Sequence, residues 1–374
     1  MIERAYNLTE LIKPGKVLVL YGARRVGKTT LLNLFLAGTK LKYKLDSGDN
    51  IRTQQALSSR DFTTITEYAS GYDLIAIDEA QQIPDIGMGL KIIVDQMPDI
   101  AVIATGSSSF GLAGAVGEPL TGRKTTLTLY PIAQQELSSL YNRHELKERL
   151  EEFLVFGSYP EVVTAKSRKD KIAVLEELVD SYLLKDVLTL DRIKNPRVLL
   201  DLLKLIAFQV GGQVSLNELA TQLRIDVKTV GRYLDILEKA FVIRRISGFS
   251  RNLRNEIVSK AKYYFWDNGI RNAVISQFNS LENRNDAGLL WENFMLTERI
   301  KKCTYQEIRG TFYFWRTYDG QELDLVEERE GRLYGYEFKW SEKKKTKAPG
   351  NWIEAYGNAG FEIINSKNYL DFVT

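Results

Sequence analysis

Gly22-Ala23-Arg24-Arg25-Val26-Gly27-Lys28-Thr29 has the spacing G-x-x-x-x-G-K-[ST], a loop that cradles phosphate groups. Its flanks decide the reading. Lys16-Val17-Leu18-Val19-Leu20-Tyr21 before it is a short apolar run, as expected of a buried strand. Thr30-Leu31-Leu32-Asn33-Leu34-Phe35-Leu36 after it opens a helix. The two glycines permit backbone conformations closed to other residues. The loop amides then form an anion nest, reinforced by the positive end of the helix. Residues 22–30 are therefore the expected phosphate contacts, with Lys28 reaching the outer phosphates and Thr29 holding magnesium.

Working outward, Leu41–Leu45 reads as a second strand. Leu74-Ile75-Ala76-Ile77 is a continuous apolar run suited to a parallel strand covered on both faces, and it ends in Asp78-Glu79-Ala80. An acid at the C-terminal end of such a strand falls where ligands of open α/β sheets collect. Asp78 is expected to hold the magnesium and Glu79 to orient and polarise an attacking water. Ile100–Ala104 is the next strand, ending in Thr105-Gly106-Ser107; Thr105 and Ser107 both qualify to touch the γ-phosphate or the water. Thr126–Leu129 before Pro131 completes the set. Arg123 just ahead of it is a candidate arginine finger, in cis or from a neighbour, with Arg24 and Arg25 behind it.

The loop, Ile77-Asp78-Glu79-Ala80-Gln81, Thr105-Gly106-Ser107-Ser108 and Gly122-Arg123 followed by Pro131 resemble the AAA-type ATPases of prokaryotes that carry a C-terminal domain of unknown function. The resemblance covers nearly the whole chain. It implies an α/β fold with a P-loop AAA-type parallel sheet (residues 1–133) and a helical lid (134–207), and it implies ATP and magnesium as ligands. No Asn/Thr-Lys-x-Asp guanine-reading motif is present.

Within 134–207, Leu146, Leu150, Phe153 and Leu154, then Leu175, Leu178, Val179, Tyr182 and Leu183, repeat at helical spacing. Gly157-Ser158-Tyr159-Pro160 separates the two runs. Residues 208–255 read as a winged helix. Ser215 with Glu218 forms a capping box, Arg224-Ile225-Asp226 breaks the helix, and Val227–Ala240 forms a second one with Phe241–Ile246 as wing. That second helix should present Lys228, Thr229 and Arg232. Between Arg224 and Lys262 ten basic residues face four acidic ones. The helix and the basic segment 244–262 are thus the expected DNA contacts, with packing between domains as the rival role.

Residues 256–374 hold two strands, Leu323–Val326 and Tyr334–Trp340, around a turn at Glu330-Gly331. A two-residue loop pairs Arg329 with Arg332 and sets Asp324 opposite Glu337. Opposed residues share a face, and Lys339 joins them by alternation. Asp324, Glu337-Phe338-Lys339 and a helical acid, Glu292, resemble the PD-(D/E)xK nuclease fold, with Leu323 where the named motif has proline. The resemblance implies an α/β restriction-endonuclease-like domain in which Asp324 and Glu337 bind magnesium and Lys339 helps activate water. Cleavage does not follow from fold alone, so a non-cleaving, protein-binding role stands beside it. Lys343-Lys344-Lys345 and Lys347 follow the hairpin.

The bulk numbers narrow the class. A net charge of +3 over 374 residues confines any nucleic-acid surface to a local patch. One cysteine, Cys303, excludes an internal disulfide and a multi-cysteine zinc site, and one histidine, His144, excludes His-rich metal sites. No run approaches the roughly 20 apolar residues of a membrane span, and the N-terminus lacks a signal-peptide core. A cytoplasmic protein with no membrane partner is expected. Association with copies of itself is left open.

Overall fold

The computed structural model describes residues 2–107, 119–183, 195–250, 261–317, 320–341 and 347–374. Ser108, Arg251, Arg254, Lys260 and Lys343 to Lys345 lie outside the described residues. The chain divides into two compact units: Arg4–Tyr130 with Lys239–Phe241, and a second containing Pro131–Glu238 and Val242–Thr374.

The first unit is α/β. Its strands are β1 (Val17–Tyr21), β2 (Tyr43–Ser47), β3 (Leu74–Asp78), β4 (Ala101–Gly106) and β5 (Lys124–Thr128). They lie in the order β2-β3-β4-β1-β5, and every pairing is parallel. The three central strands are buried almost throughout, because helices cover both faces. That is why they read as unbroken apolar runs. Val17, Ile75 and Val102 share a core with Leu57, Ile65, Leu90 and Ile93 from the covering helices. All five C-termini fall on one edge, so the segments after β1, β3 and β4 converge there.

The second unit is built on a mixed sheet of β6 (Gln213–Val214), β7 (Ile243–Gly248), β8 (Ala261–Phe265), β9 (Thr311–Arg316), β10 (Glu322–Arg329), β11 (Arg332–Phe338) and β12 (Gly360–Ile364). The order is β12-β11-β10-β9-β7-β8-β6. The turn between β10 and β11 has positive φ at both Glu330 (51°) and Gly331 (74°), a primed turn that matches strand twist. It fixes the register Arg329↔Arg332 through Leu325↔Tyr336, and one further step sets Asp324 against Glu337.

The helix-turn-helix region is Leu216–Leu223, capped by the Ser215 side chain, a left-handed Arg224, then Val227–Lys239. Asp226 accepts from the Thr229 amide at 2.8 Å and so starts the second helix. Val230, Tyr233, Leu234, Ile236 and Leu237 are its buried face. The strand that follows is not a free wing. β7 pairs antiparallel with β8 and parallel with β9, so strands from residues 208–255 and 256–374 share one sheet.

Gly157-Ser158 forms a socket for Asp267. The Ser158 amide donates to Asp267 Oδ2 at 2.7 Å. A Cβ on Gly157 (φ +72°) would lie 2.0 Å from Asp267 Oδ1. Glycine is thus required there for close approach as well as for backbone conformation.

Candidate functional site

The phosphate loop runs from the end of β1 into the helix Lys28–Gly38. A Cβ on Gly22 would meet the Leu129 carbonyl oxygen at 2.0 Å, and Gly27 has φ 97°. Arg25 is also left-handed, at φ 59°. These turns aim successive amides inward, the arrangement an oxyanion needs. Ala23 and Val26 are buried; Arg24, Arg25, Thr29 and Thr30 are exposed. Lys28 is 5% exposed, and its Nζ donates to the carbonyls of Gly22 (3.0 Å) and Ala23 (2.8 Å). Arg4, unmarked by any motif, braces the loop from outside. It donates to the Val26 carbonyl and, at 2.7 Å, to that of Tyr130.

Asp78 ends β3 beside the loop. Thr29 Oγ1 donates to Asp78 Oδ2 at 2.8 Å. A hydroxyl and a carboxylate in contact, next to an anion nest, form the oxygen donor set that a phosphate-bound magnesium takes, so these residues fit the ion. Thr105, fully buried, donates to the other Asp78 oxygen and accepts from the Glu79 amide at 3.3 Å. Ser107 instead faces Glu79, its Oγ 3.5 Å from Oε2. The two candidates at the end of β4 thus serve different acids.

Glu79 is held in the left-handed region, φ 50° and ψ 40°, a conformation that costs a non-glycine residue about 1–3 kcal/mol. Gly48 helps to hold it. Its amide donates to the Asp78 carbonyl at 2.7 Å, and a Cβ there would lie 2.2 Å from the Glu79 carbonyl oxygen. Gln81 and Asp85 follow in the same turn region. Gln81 donates to Glu79, whereas Asp85 pairs with Arg60 at the surface.

Arg123 does not join this group. It precedes β5, and its carbonyl accepts from the Val17 amide at the start of β1. That is the N-terminal edge of the parallel sheet, a strand length from the phosphate loop. Its guanidinium pairs with Asp95 at 2.5 Å. A residue before a parallel strand lies at the opposite edge of the sheet from one after it, so Arg123 is not brought to the nucleotide loop of its own chain.

In the second unit Glu292, Asp324, Glu337 and Lys339 are brought together. Glu292 projects from the helix Ala287–Tyr305. Lys339 donates to Glu337, and the Phe338 amide donates to Asp324 Oδ2 at 2.7 Å. Two further residues enter the cluster. Lys262, 2% exposed, lies 3.2 Å from Glu292 and 2.6 Å from Glu322, and the Tyr264 hydroxyl donates to Glu292 at 2.7 Å. Burial, Glu292 and Glu337 together push the Asp324 carboxyl well above the usual carboxylate range. Burial also raises Glu292 against the pull of Lys262. For Lys262 burial acts downward, yet Glu292 and Glu322 outweigh it and its pKa rises. Two ammonium groups, Lys262 and Lys339, thus face the four carboxylates Glu292, Glu322, Asp324 and Glu337. Among the described residues no group of three or more Asp, Glu, His or Cys side chains stands as a metal cage.

Lys262 also corrects the expected DNA surface. Buried between two carboxylates, it is unavailable to phosphates. Of the rest of the 244–262 segment, Arg245 is exposed, and Arg244 lies 3.4 Å from Glu238. On the second helix Lys228 and Arg232 are exposed, while Thr229 turns back to its own cap, Asp226. Lys262 sits in an otherwise apolar strand, Ala261-Lys262-Tyr263-Tyr264-Phe265, and that setting was the available signal of burial.

Residues 14–138 match the family described as AAA domain. Residues 147–281 and 287–370 match two families described as domains of unknown function, DUF8612 and DUF4143. An uncharacterized protein of Mycobacterium tuberculosis is 30% identical over 346 residues, 91% of this chain and 74% of that one. An uncharacterized protein of Haemophilus influenzae is 24% identical over 396 residues, covering 99% and 94%. Among solved structures, a Signal Transduction ATPase with Numerous Domains (STAND) protein with a tetratricopeptide repeat sensor from Pyrococcus horikoshii overlaps at TM-score 0.28 and 14% identity, over 77% of this chain and 43% of that one. At that overlap the likeness says nothing of function. Among the described residues no helix is long and apolar enough to cross a membrane. With its phosphate loop, its Asp78-Glu79 turn and a relative matched along most of both chains, the protein belongs to the family of that mycobacterial protein, and residues 14–138 are its AAA domain.

Proposed function

We propose that the protein is a magnesium-dependent ATP hydrolase that works as a conformational switch, binds DNA, and does not cut it. The observation that carries the first part is the contact between Thr29 and Asp78 beside the phosphate loop, with Glu79 one residue further on. Lys28 and the loop amides would hold the phosphates. Thr29 and Asp78 would hold magnesium, which when bound offsets phosphate charge. Glu79 would take a proton from the attacking water. Arg123, at the far edge of the sheet, suits a neighbouring copy's nucleotide better than its own, so we place it in trans within a homo-oligomer.

Exposed Lys228 and Arg232, with Arg245, support binding to nucleic-acid phosphates. For the C-terminal cluster the ion pairs support the non-cleaving reading: Lys262 already meets Glu292 and Glu322, and Lys339 meets Glu337.

The test is nucleotide binding and turnover. Lys28→Ala is expected to abolish binding of a fluorescent ATP analogue. Glu79→Gln should bind it normally while hydrolysing about 10²–10⁴-fold more slowly. Normal turnover in Lys28→Ala would remove the site assignment.

A further inference from the structure

The carboxylate of Glu79 is not held by its own strand alone. Glu79 leaves β3 in a left-handed conformation, and the single turn Ala80–Gln82 follows. That turn swings Gln81 back over the carboxylate. Gln81 Nε2 donates to Glu79 Oε2 and lies 3.2 Å from Ser107 Oγ. Ser107 Oγ in turn lies 3.5 Å from the same Glu79 oxygen. Carboxylate, amide and hydroxyl close a triangle between the end of β3 and the end of β4.

The other end of the Gln81 amide is unexplained by this triangle. Its Oε1 is buried, and among the described residues it accepts no hydrogen bond. Leaving such an acceptor unsatisfied costs the desolvation of its oxygen, so a native protein retains it where something else donates to it. A water beside Glu79 is a donor of the right size. Water held by one acceptor can still rotate; held by two, both its O–H bonds are fixed and a lone pair is left to face the phosphorus.

We propose that Gln81 is a positioning residue for hydrolysis. Its Nε2 locks the Glu79 carboxylate in place, and its Oε1 is the second acceptor for the attacking water. The inference rests on the ATPase reading above. In the step it serves, the water oxygen bonds to the γ-phosphorus. The bond from phosphorus to the bridging oxygen breaks, and its electron pair leaves on ADP. One water proton passes to Glu79, and the products are ADP and inorganic phosphate.

The experiment compares wild type, Gln81→Leu, Gln81→Asn, Glu79→Gln and the Glu79→Gln/Gln81→Leu double variant. Each is measured for thermal melting, fluorescent ATP-analogue affinity and turnover of magnesium-ATP. Gln81→Leu is expected to lose about 10–100-fold in kcat, the scale of a misplaced reacting group, with affinity within about three-fold of wild type. In the Glu79→Gln background the same change should cost less than about three-fold, because the water that Gln81 orients has already lost its proton acceptor. Gln81→Asn keeps the amide on a shorter arm; it should lose kcat by less, and it carries the test if the leucine variant fails to fold. Wild-type kcat in both Gln81 variants would overturn the inference, and so would a full multiplicative loss in the double variant. Turnover absent from wild type and Lys28→Ala alike would instead remove the ATPase reading, and the inference with it.

Discussion

Asp286 is where a single charge is expected to matter most for the second unit. It stands just before the helix that carries Glu292. Its carboxylate takes Arg271 Nη1 at 2.6 Å, Arg284 Nε at 2.8 Å and Arg284 Nη2 at 2.9 Å. Both guanidiniums are buried, with side-chain exposures of 2% and 0%. Burial alone would raise the Asp286 carboxyl, but the Arg284 hydrogen bonds and the Arg271 charge bring it down from 3.8 to about 2. That depression is worth about 2 kcal/mol at about 1.4 kcal/mol per pH unit. The sign follows from the lowered value: the stabilisation is complete above about pH 4 and is lost as pH falls through about 2. Asp286→Asn removes it at every pH and leaves two buried guanidiniums without their counter-charge. The expected loss at neutral pH is about 3 kcal/mol, since breaking a buried pair costs about 3–5 kcal/mol. Urea denaturation followed by tryptophan fluorescence is the assay. All five tryptophans (Trp266, Trp291, Trp315, Trp340 and Trp352) belong to the second unit, so the signal reports that unit alone. A variant within about 1 kcal/mol of wild type, or one that keeps the wild-type acid dependence between pH 4 and 2, would refute the reasoning.

Four other outcomes are expected. Asp324 has a raised pKa, so its buried charge weakens the fold as pH rises from about 4 through that value; Asp324→Asn should therefore gain on wild type more at pH 8 than at pH 4 in the same urea assay, and an unchanging difference would count against the buried charge. Arg232→Ala should weaken duplex DNA binding and lower the slope of log affinity against log salt by about one; an unchanged slope would return the helix-turn-helix to a packing role. Plasmid or single-stranded DNA with magnesium or manganese should remain intact, whereas cleavage that is lost in Lys339→Ala would establish a nuclease and overturn the non-cleaving reading. Arg123→Ala should hydrolyse ATP slowly and recover part of its rate when mixed with Lys28→Ala protein, which supplies an intact arginine; no recovery would remove the action in trans.

Much of this architecture was legible in the residues. Three apolar runs with no alternation gave a parallel, doubly covered sheet. The pair Glu330-Gly331 gave a two-residue turn, and counting back from it gave the Arg329↔Arg332 register. What escaped reading depended on distance in the chain or on burial. That β7 lies between β8 and β9 is a pairing over some 65 residues, which no local pattern encodes. Lys262 was counted as surface charge because a tally of signs ignores the strand around it. Arg123 was placed near the nucleotide by its nearness in sequence to the last strand. Strand polarity points the other way, since in a parallel sheet the residue before a strand and the residue after it lie at opposite edges. Arg4 and Gly48 carry no motif at all. Each acts on one backbone carbonyl or one close approach, and those exist only once the chain has folded.

The two acid-lysine groups differ in a way that bears on function. Around Lys262 and Lys339 each ammonium meets a carboxylate. Beside the phosphate loop the arrangement is open-handed. Lys28 donates to backbone carbonyls, Thr29 and Asp78 meet at their oxygens, and Gln81 keeps an acceptor in reserve. The turn that carries Glu79 is strained, and it is held from two sides by Gly48 and Thr105. Strain that neighbours over-determine in this way belongs to a group set in place before its ligand arrives. Reorganisation at the moment of reaction is then small, which is how fixed dipoles and charges lower a barrier. The contrast supports the proposal that hydrolysis belongs to the AAA domain and that the C-terminal cluster does not cut.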